Sequence, residues 1–124
     1  MARVLIVDDE KPIRELIREV LSAQGHEFEL AADGAEAFAR MRKRSFDLAI
    51  VDRNMPGVTG IEVVEAIRKD PKTAAMKVLM CTASSVPLEI DEAFAAGADD
   101  YILKPLNFPE LMGKVARALA VPAA

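Results

Sequence analysis

Histidine, cysteine and tryptophan are nearly absent from this sequence of 124 residues, which has one histidine, one cysteine and no tryptophan. The single cysteine, Cys81, excludes an intramolecular disulfide and fits a reducing compartment. It follows an apolar run and is interpreted as a core residue. His26 has no second histidine or neighbouring nucleophile to work with, so no histidine-based metal or catalytic site is predicted.

The sequence also lacks long apolar runs and an excess of positive charge. No run approaches the ~20 residues that a membrane span needs, and the N-terminus has no signal-peptide pattern, so we expect no membrane contact and a cytoplasmic location. The formal net charge of −4 argues against binding to a nucleic-acid backbone. One basic cluster, at residues 40–44, is interpreted as the solvated end of a helix.

Apolar residues, by contrast, are plentiful. They make up 52% of the chain, against 29% charged residues, which is enough to build a core and keep a polar surface. The length suits one compact domain. We therefore predict a single domain over residues 1–124, with the last few residues forming a short tail.

Apolar runs typical of buried strands alternate along the chain with stretches of helical periodicity. Such alternation favours βαβ units and a parallel sheet covered by helices on both faces, an open doubly wound α/β domain. Five strands are predicted, near residues 4–7, 27–31, 48–52, 77–82 and 101–103, each followed by a helix. The fourth helix has the weakest apolar stripe and is expected to be loosely held.

Four of these strands end in polar residues. The first is followed by Asp8 and Asp9, the third ends at Asp52, the fourth at Thr82, and the fifth is followed by Lys104. The carboxyl ends of parallel strands lie at one edge of the sheet, which is where ligands bind in open α/β folds. Asp52 is the first candidate for chemistry, because the run before it is entirely apolar.

Taken together, these motifs resemble the receiver domains of bacterial response regulators, which act in two-component signalling. The resemblance covers residues 4 to 119, and every motif is in order. The matching residues are Val7-Asp8-Asp9-Glu10, Val51-Asp52, Met55-Pro56-Gly57, Gly60, Thr82-Ala83, Gly97-Ala98-Asp99-Asp100-Tyr101 and Lys104-Pro105.

The resemblance implies a flavodoxin-like sheet of order 2-1-3-4-5 and a set of functional roles. Asp52 would accept a phosphoryl group, and Lys104 would neutralise the developing charge. Thr82 would donate its hydroxyl to the phosphoryl group, and Tyr101 would turn inward as a switch. The family also makes the Lys104–Pro105 bond cis.

A divalent cation follows from both the residues and the resemblance. Carboxylates ~4 Å apart repel by about 4 kcal/mol per pair at an effective dielectric near 20, and a hard ion such as Mg²⁺ relieves that repulsion. The resemblance assigns Asp9, Asp52 and the Asn54 backbone carbonyl as direct ligands of Mg²⁺. Asp8 would contribute mainly through water.

The implied partners are a sensor histidine kinase or phosphotransfer protein, and a downstream protein that reads the face of the fourth helix, fifth strand and fifth helix. The chain is expected to be a phosphoacceptor that assists its own phosphorylation and dephosphorylation rather than an enzyme. We expect a stand-alone receiver with no direct contact to nucleic acid.

Several alternatives remain open from the residues. Asp52 by itself would be a turn residue, and residues 8–10 would cap the first helix. At the level of function, the rivals are an unphosphorylated receiver-like scaffold, a metal-dependent phosphatase and a flavin-binding protein. Two residues depart from the family pattern: Arg53 replaces a usually apolar residue, and Ser84 occupies a position that tunes phosphoryl lifetime in relatives.

Overall fold

The computed structural model describes residues 2–120, and strands and helices alternate throughout them. The predicted short tail, residues 121–124, lies outside the described residues. The strands are β1 (Arg3–Val7), β2 (Glu27–Ala31), β3 (Leu48–Asp52), β4 (Lys77–Thr82) and β5 (Asp100–Leu103). The helices are α1 (Lys11–Ser22), α2 (Gly34–Lys43), α3 (Gly60–Lys69), α4 (Pro87–Ala96) and α5 (Phe108–Ala120).

The five strands form one parallel sheet of order β2-β1-β3-β4-β5, as the resemblance implied. β3 is central and all five of its residues are buried, in keeping with an unbroken apolar run between two helical layers. Val7 pairs with Val51, and Asp52 pairs with Cys81. This register brings the ends of β1, β3 and β4 to one edge.

Alternate strand residues face two separate cores, one on each side of the sheet. Leu5 and Val7 pack on the side of α2, α3 and α4, whereas Val4 and Ile6 pack on the side of α1 and α5. A parallel sheet with a helix-covered core on each face is a doubly wound domain, so the predicted fold class is confirmed. No helix within residues 2–120 is both long and apolar enough to cross a membrane.

Local side-chain contacts fix where most helices begin. Asp33 accepts a hydrogen bond from the Glu36 backbone at the start of α2, and Thr59 and Glu62 form a reciprocal capping box at the start of α3. The cap predicted for α1 is wrong. Glu10 is the residue before that helix, but its side chain makes no capping hydrogen bond. Asp8 Oδ1 accepts from the Glu10 N–H at 2.8 Å, one residue before the helix begins.

α4 is the helix with the fewest buried residues, in line with its weak apolar stripe. Within it only Ala93 is buried, while Leu88 is 69% and Phe94 42% exposed. The helix ends at Gly97, whose φ of 121° is a conformation that L side chains rarely adopt. α4 therefore packs on the rest of the domain with a single buried side chain, and polar contacts with the loops after β3 and β4 add to its attachment.

Candidate functional site

Two buried carboxylates share one lysine at the carboxyl edge of the sheet. Lys104 Nζ lies 3.1 Å from Asp8 Oδ2 and 3.3 Å from Asp52 Oδ1. Asp8 and Asp52 are each at most 3% exposed, whereas the Lys104 side chain is 20% exposed and reaches in from the end of β5. The sequence prediction that strands β1, β3 and β5 deliver these three groups to one place is confirmed.

Burial dominates the ionisation of Asp52. Desolvation and then the charge of Asp8 raise its pKa from 3.8 to about 6, against the opposing effects of Lys104 and of the Asn54 N–H. That N–H donates to Asp52 Oδ1 at 3.2 Å, so Asp52 is a turn residue and a site residue at once. For Lys104, burial lowers the pKa, but the charges of Asp52 and Asp8 outweigh it and leave the pKa raised.

Two further carboxylates, Asp9 and Glu10, join Asp8 in an acidic group at the end of β1. Oxygens of Asp8, Asp9 and Glu10 lie within 4.8 Å of one another, and the side chains of Asp9 and Glu10 are exposed. The Asp9 carboxyl is the smallest of the influences that raise the pKa of Asp52. From the sequence, Glu10 is part of the matching motif and a possible cap, but it has no predicted place among the acidic groups of the site. Its adjacency to two aspartates was the available signal.

Thr82 is buried at the end of β4, one residue beyond the partner of Asp52 in the sheet. Its Oγ1 accepts a hydrogen bond from the Ser84 N–H at 3.1 Å. Tyr101 stands apart from the carboxylates: its ring meets Phe94 edge to face, with centroids 5.8 Å apart, and Lys114 Nζ lies 4.8 Å from its centroid. The inward turn expected of Tyr101 stays a prediction.

Gly60 shapes the turn that follows Asp52. A Cβ at this position would come within 2.3 Å of the Asp52 carbonyl oxygen and 2.6 Å of Arg53 Cα, distances that only glycine avoids. The close approach lets the Gly60 N–H donate to the Arg53 carbonyl at 3.0 Å. The first residue of α3 thereby packs directly on the peptide that carries the candidate carboxylate.

Other residues considered from the sequence lie where they were predicted. Cys81 is buried in the core, and burial raises the pKa of its thiol to about 12, so it stays protonated. His26 accepts a hydrogen bond from the Ala2 N–H at 3.2 Å and belongs to no acidic or thiol cluster in the described part of the chain. The Lys104–Pro105 bond is cis.

Comparison with known proteins identifies the class of protein that has this fold and this acidic site at the carboxyl edge of the sheet. A family model described as "Response regulator receiver domain" matches residues 4–116. The chain belongs to the family of response regulator receiver domains. Members of this class act as phosphoacceptors in two-component systems, where response regulators partner with histidine kinases, and Mg²⁺ is typical of the family.

Individual relatives agree with this membership. Chemotaxis protein CheY4 of Vibrio cholerae is 40% identical, with a TM-score of 0.91, and the match covers 96% of this chain and 99% of that one. A putative response regulator from Chloroflexus aurantiacus is 35% identical, with a TM-score of 0.92 and coverage of 97% and 98%.

Longer regulators are also similar over the same region. The phosphate regulon transcriptional regulatory protein PhoB of Rhizobium meliloti (strain 1021) is 38% identical over 115 residues, which is 93% of this chain and 51% of that protein. The DNA-binding response regulator MtrA of Mycobacterium tuberculosis (strain ATCC 25618 / H37Rv) is 33% identical over 113 residues, 48% of its length. The chain spans about half the length of these curated relatives.

Proposed function

We propose that Asp52 is the phosphoacceptor of this receiver domain. The observation that carries the proposal is the shared Lys104, whose ammonium lies 3.3 Å from Asp52 Oδ1 and 3.1 Å from Asp8 Oδ2 at the edge where β1, β3 and β5 end. Asp52 is the carboxylate at the centre of that arrangement and the last residue of the central strand.

The reaction we propose is an in-line displacement at phosphorus. An Asp52 carboxylate oxygen forms a bond to the phosphorus, while the bond from phosphorus to the donor breaks and the donor leaves with that electron pair. The donor is a phosphohistidine of a kinase or phosphotransfer protein, or a small acyl phosphate. In hydrolysis, water forms the new bond, the Asp52 oxygen leaves as carboxylate, and the proton of water goes to inorganic phosphate.

The protein's own groups supply charge and position rather than acid or base catalysis. A carboxylate needs no base to become a nucleophile. Lys104 would pair with an oxygen of the transferring group, and the Asn54 N–H holds Asp52 Oδ1 in a fixed orientation. The domain would thus assist its own phosphorylation and dephosphorylation, although it is a phosphoacceptor and not a turnover enzyme.

Mg²⁺ is the proposed cofactor, because the donor set consists of hard carboxylate oxygens that exceed the available positive charge. The residues that would hold it are Asp9, Asp52 and the Asn54 backbone carbonyl, with Asp8 contributing through water. When bound, the ion would neutralise charge on the phosphoryl oxygens. The chemistry of the residues present fits this ion better than a softer metal, since no thiolate or imidazole lies in the cluster.

The signal would leave the site through Thr82 and Tyr101. Thr82 would donate its hydroxyl to a phosphoryl oxygen, and a repacking of Tyr101 would alter the face of α4, β5 and α5. Leu88, Phe94 and Leu103 are exposed there, which suits recognition by a protein partner. The proposed partners are a histidine kinase or phosphotransfer protein upstream and a protein target downstream, with no direct nucleic-acid contact.

We further propose that residues 1–124 form one receiver domain that acts in the cytoplasm. A single buried thiol suits a reducing compartment. The unphosphorylated scaffold is not favoured, because the lysine and the buried acids needed for transfer are all in contact.

Incubation with acetyl phosphate and Mg²⁺, followed by intact-mass measurement, tests the proposal. One added phosphoryl group is expected for the wild type and none for Asp52→Asn. Omission of Mg²⁺ is expected to abolish the gain. Equal incorporation by Asp52→Asn would refute the assignment of Asp52, and absence of incorporation in the wild type would favour the scaffold.

A further inference from the structure

Arg53, directly after the proposed phosphoacceptor, reaches across to α4. Its side chain is 12% exposed, Nη1 donates to the Glu89 carbonyl at 2.6 Å, and Nη2 lies 3.4 Å from Glu92 Oε2. Its backbone N–H is also fixed, by the Cys81 carbonyl at 2.8 Å. One residue thus ties the end of β3 to the first turns of the least buried helix.

A second set of hydrogen bonds continues from that helix to Thr82. The Glu89 carboxylate accepts from Ser84 Oγ, which in turn accepts from the Val86 N–H at 3.2 Å. The Ser84 N–H donates to Thr82 Oγ1 at 3.1 Å. A continuous path therefore runs from Arg53 through the start of α4 and the β4–α4 loop to the hydroxyl of Thr82.

We propose that Arg53 and Glu89 are positioning residues for phosphoryl transfer, which hold the β4–α4 loop so that Ser84 orients the Thr82 hydroxyl toward the phosphoryl group. The inference rests on the proposed function of Asp52. It adds two residues that lie outside the acidic site and act through Thr82 rather than on the phosphoryl group itself.

Hydrogen-bond chemistry predicts that loss of these contacts slows phosphoryl transfer. A threonine hydroxyl that accepts a bond from a backbone N–H keeps its own proton free to donate elsewhere. Thr82 is 3% exposed, so little water competes for that proton. A donor fixed before the reaction costs no reorganisation when charge develops on the transferring oxygens. If the β4–α4 loop were released, the Thr82 hydroxyl would no longer be fixed before the reaction, and both phosphorylation and hydrolysis would slow.

The test is the initial rate of phosphorylation by acetyl phosphate at saturating Mg²⁺, with the rate of phosphoryl loss measured afterwards. Arg53→Ala and Glu89→Ala are each expected to slow both reactions about 3- to 10-fold, the effect of one buried hydrogen bond. Glu89→Gln retains an acceptor for Ser84 Oγ and is expected to lie closer to the wild type. Arg18→Ala and Asp91→Asn, exposed residues of α1 and α4, are matched controls with wild-type rates.

A double-mutant cycle separates positioning from general loosening of the fold. In a Thr82→Ala background, Arg53→Ala and Glu89→Ala are expected to have little further effect, because the hydroxyl they position is gone. Equal losses in both backgrounds would overturn the proposal, as would wild-type rates for the single variants. If the alanine variants fail to fold, Ser84→Ala takes their place, with the same expected loss and the same dependence on Thr82.

Failure of this inference is distinguishable from failure of the proposed function. A wild-type protein that incorporates no phosphoryl group would refute the role of Asp52 itself. A wild type that is phosphorylated normally, with Arg53 and Glu89 variants that match it, would refute only the positioning role.

Discussion

At the scale of single residues, the site is defined by an imbalance of charge. Asp8 and Asp52 are buried against one ammonium group, and Asp9 adds a further carboxylate at the rim. Lys104 therefore stabilises the two acids without neutralising both, and burial, followed by the charge of Asp8, still leaves the pKa of Asp52 raised. A phosphoryl group and a divalent ion would enter a site already organised around that lysine.

Removal of the Lys104 charge is expected to impair phosphoryl transfer more than folding. Lys104→Met should lower the rate of phosphorylation by acetyl phosphate about 100-fold, the usual effect of losing one preorganised charge-stabilising group. The rate at saturating Mg²⁺ is the measurement, and Lys69→Met, an exposed lysine at the end of α3, is the control. A rate within a factor of about two of the wild type would contradict the role of the ammonium group.

Asp52→Asn is expected to stabilise the metal-free protein at neutral pH. The folded form binds the Asp52 proton more tightly than the unfolded form, because the pKa is raised from 3.8 to about 6. Ionisation of Asp52 therefore destabilises the fold progressively as the pH rises from about 4 to 6. Above that range the gain on substitution should be about 1–2 kcal/mol, which is less than the full pKa shift implies because an amide only approximates a protonated carboxyl group.

Urea unfolding with a chelator present measures this difference. The free energy of unfolding of Asp52→Asn should exceed that of the wild type at pH 7 and approach it near pH 4. A variant less stable than the wild type at pH 7 would mean that Asp52 contributes more through its ion pair than it costs through burial.

At the scale of elements, the turn from β3 to α3 and the helix α4 determine how the site is held. The turn is fixed by the close contact of Gly60 with the Asp52–Arg53 peptide. α4 is attached by polar contacts from Arg53 and Ser84 rather than by a broad apolar face. The turn is rigid because Gly60 lies against the backbone of Asp52 and Arg53, and α4 is the more adjustable element because Ala93 is its only buried residue.

A pair of glycine substitutions tests the steric argument. Gly60→Ala should destabilise the protein by about 1–3 kcal/mol, since its Cβ would overlap backbone atoms that cannot move independently of Asp52. Gly113→Ala, in α5 with nothing within 4 Å of the added Cβ, should stabilise by about 0.5–1 kcal/mol. Thermal or urea unfolding gives both values. A neutral Gly60→Ala would show that the turn can relax.

Hydrogen exchange should reveal the weak attachment of α4. Backbone amides of α4 are expected to exchange faster than those of α3, because α4 buries only Ala93 whereas α3 buries Val63, Val64 and Ile67. Exchange measured by mass spectrometry on the unphosphorylated protein gives the comparison. Protection of α4 equal to that of α3 would contradict the view that this helix is the adjustable element.

Sequence patterns predicted the elements better than the contacts between them. Apolar runs that stop at a polar residue located the ends of β1, β3 and β4, since burial of both sheet faces leaves only the strand exit for Asp8, Asp52 and Thr82. The reach of Arg53 to Glu89, 36 residues away, was not predictable, because a long side chain at an element boundary has no periodic signal.

At the scale of the whole molecule, the doubly wound fold explains why distant residues meet. Asp8 and Lys104 are 96 residues apart in sequence, yet parallel strands bring both to the same edge. The family resemblance supplied the strand order 2-1-3-4-5, which residue patterns alone did not, and the structure has that order. The expected metal ligands and the Thr82–Tyr101 switch remain predictions that the fold makes physically reasonable.

Chemical location of the phosphoryl group tests the central claim most directly. The protein is phosphorylated with acetyl phosphate and Mg²⁺ and reduced with borohydride, which converts an aspartyl phosphate to homoserine, and its peptides are then mapped by mass spectrometry. We predict homoserine at position 52 and unmodified aspartate at positions 8 and 9. Homoserine at either of those positions with aspartate retained at position 52 would contradict the account.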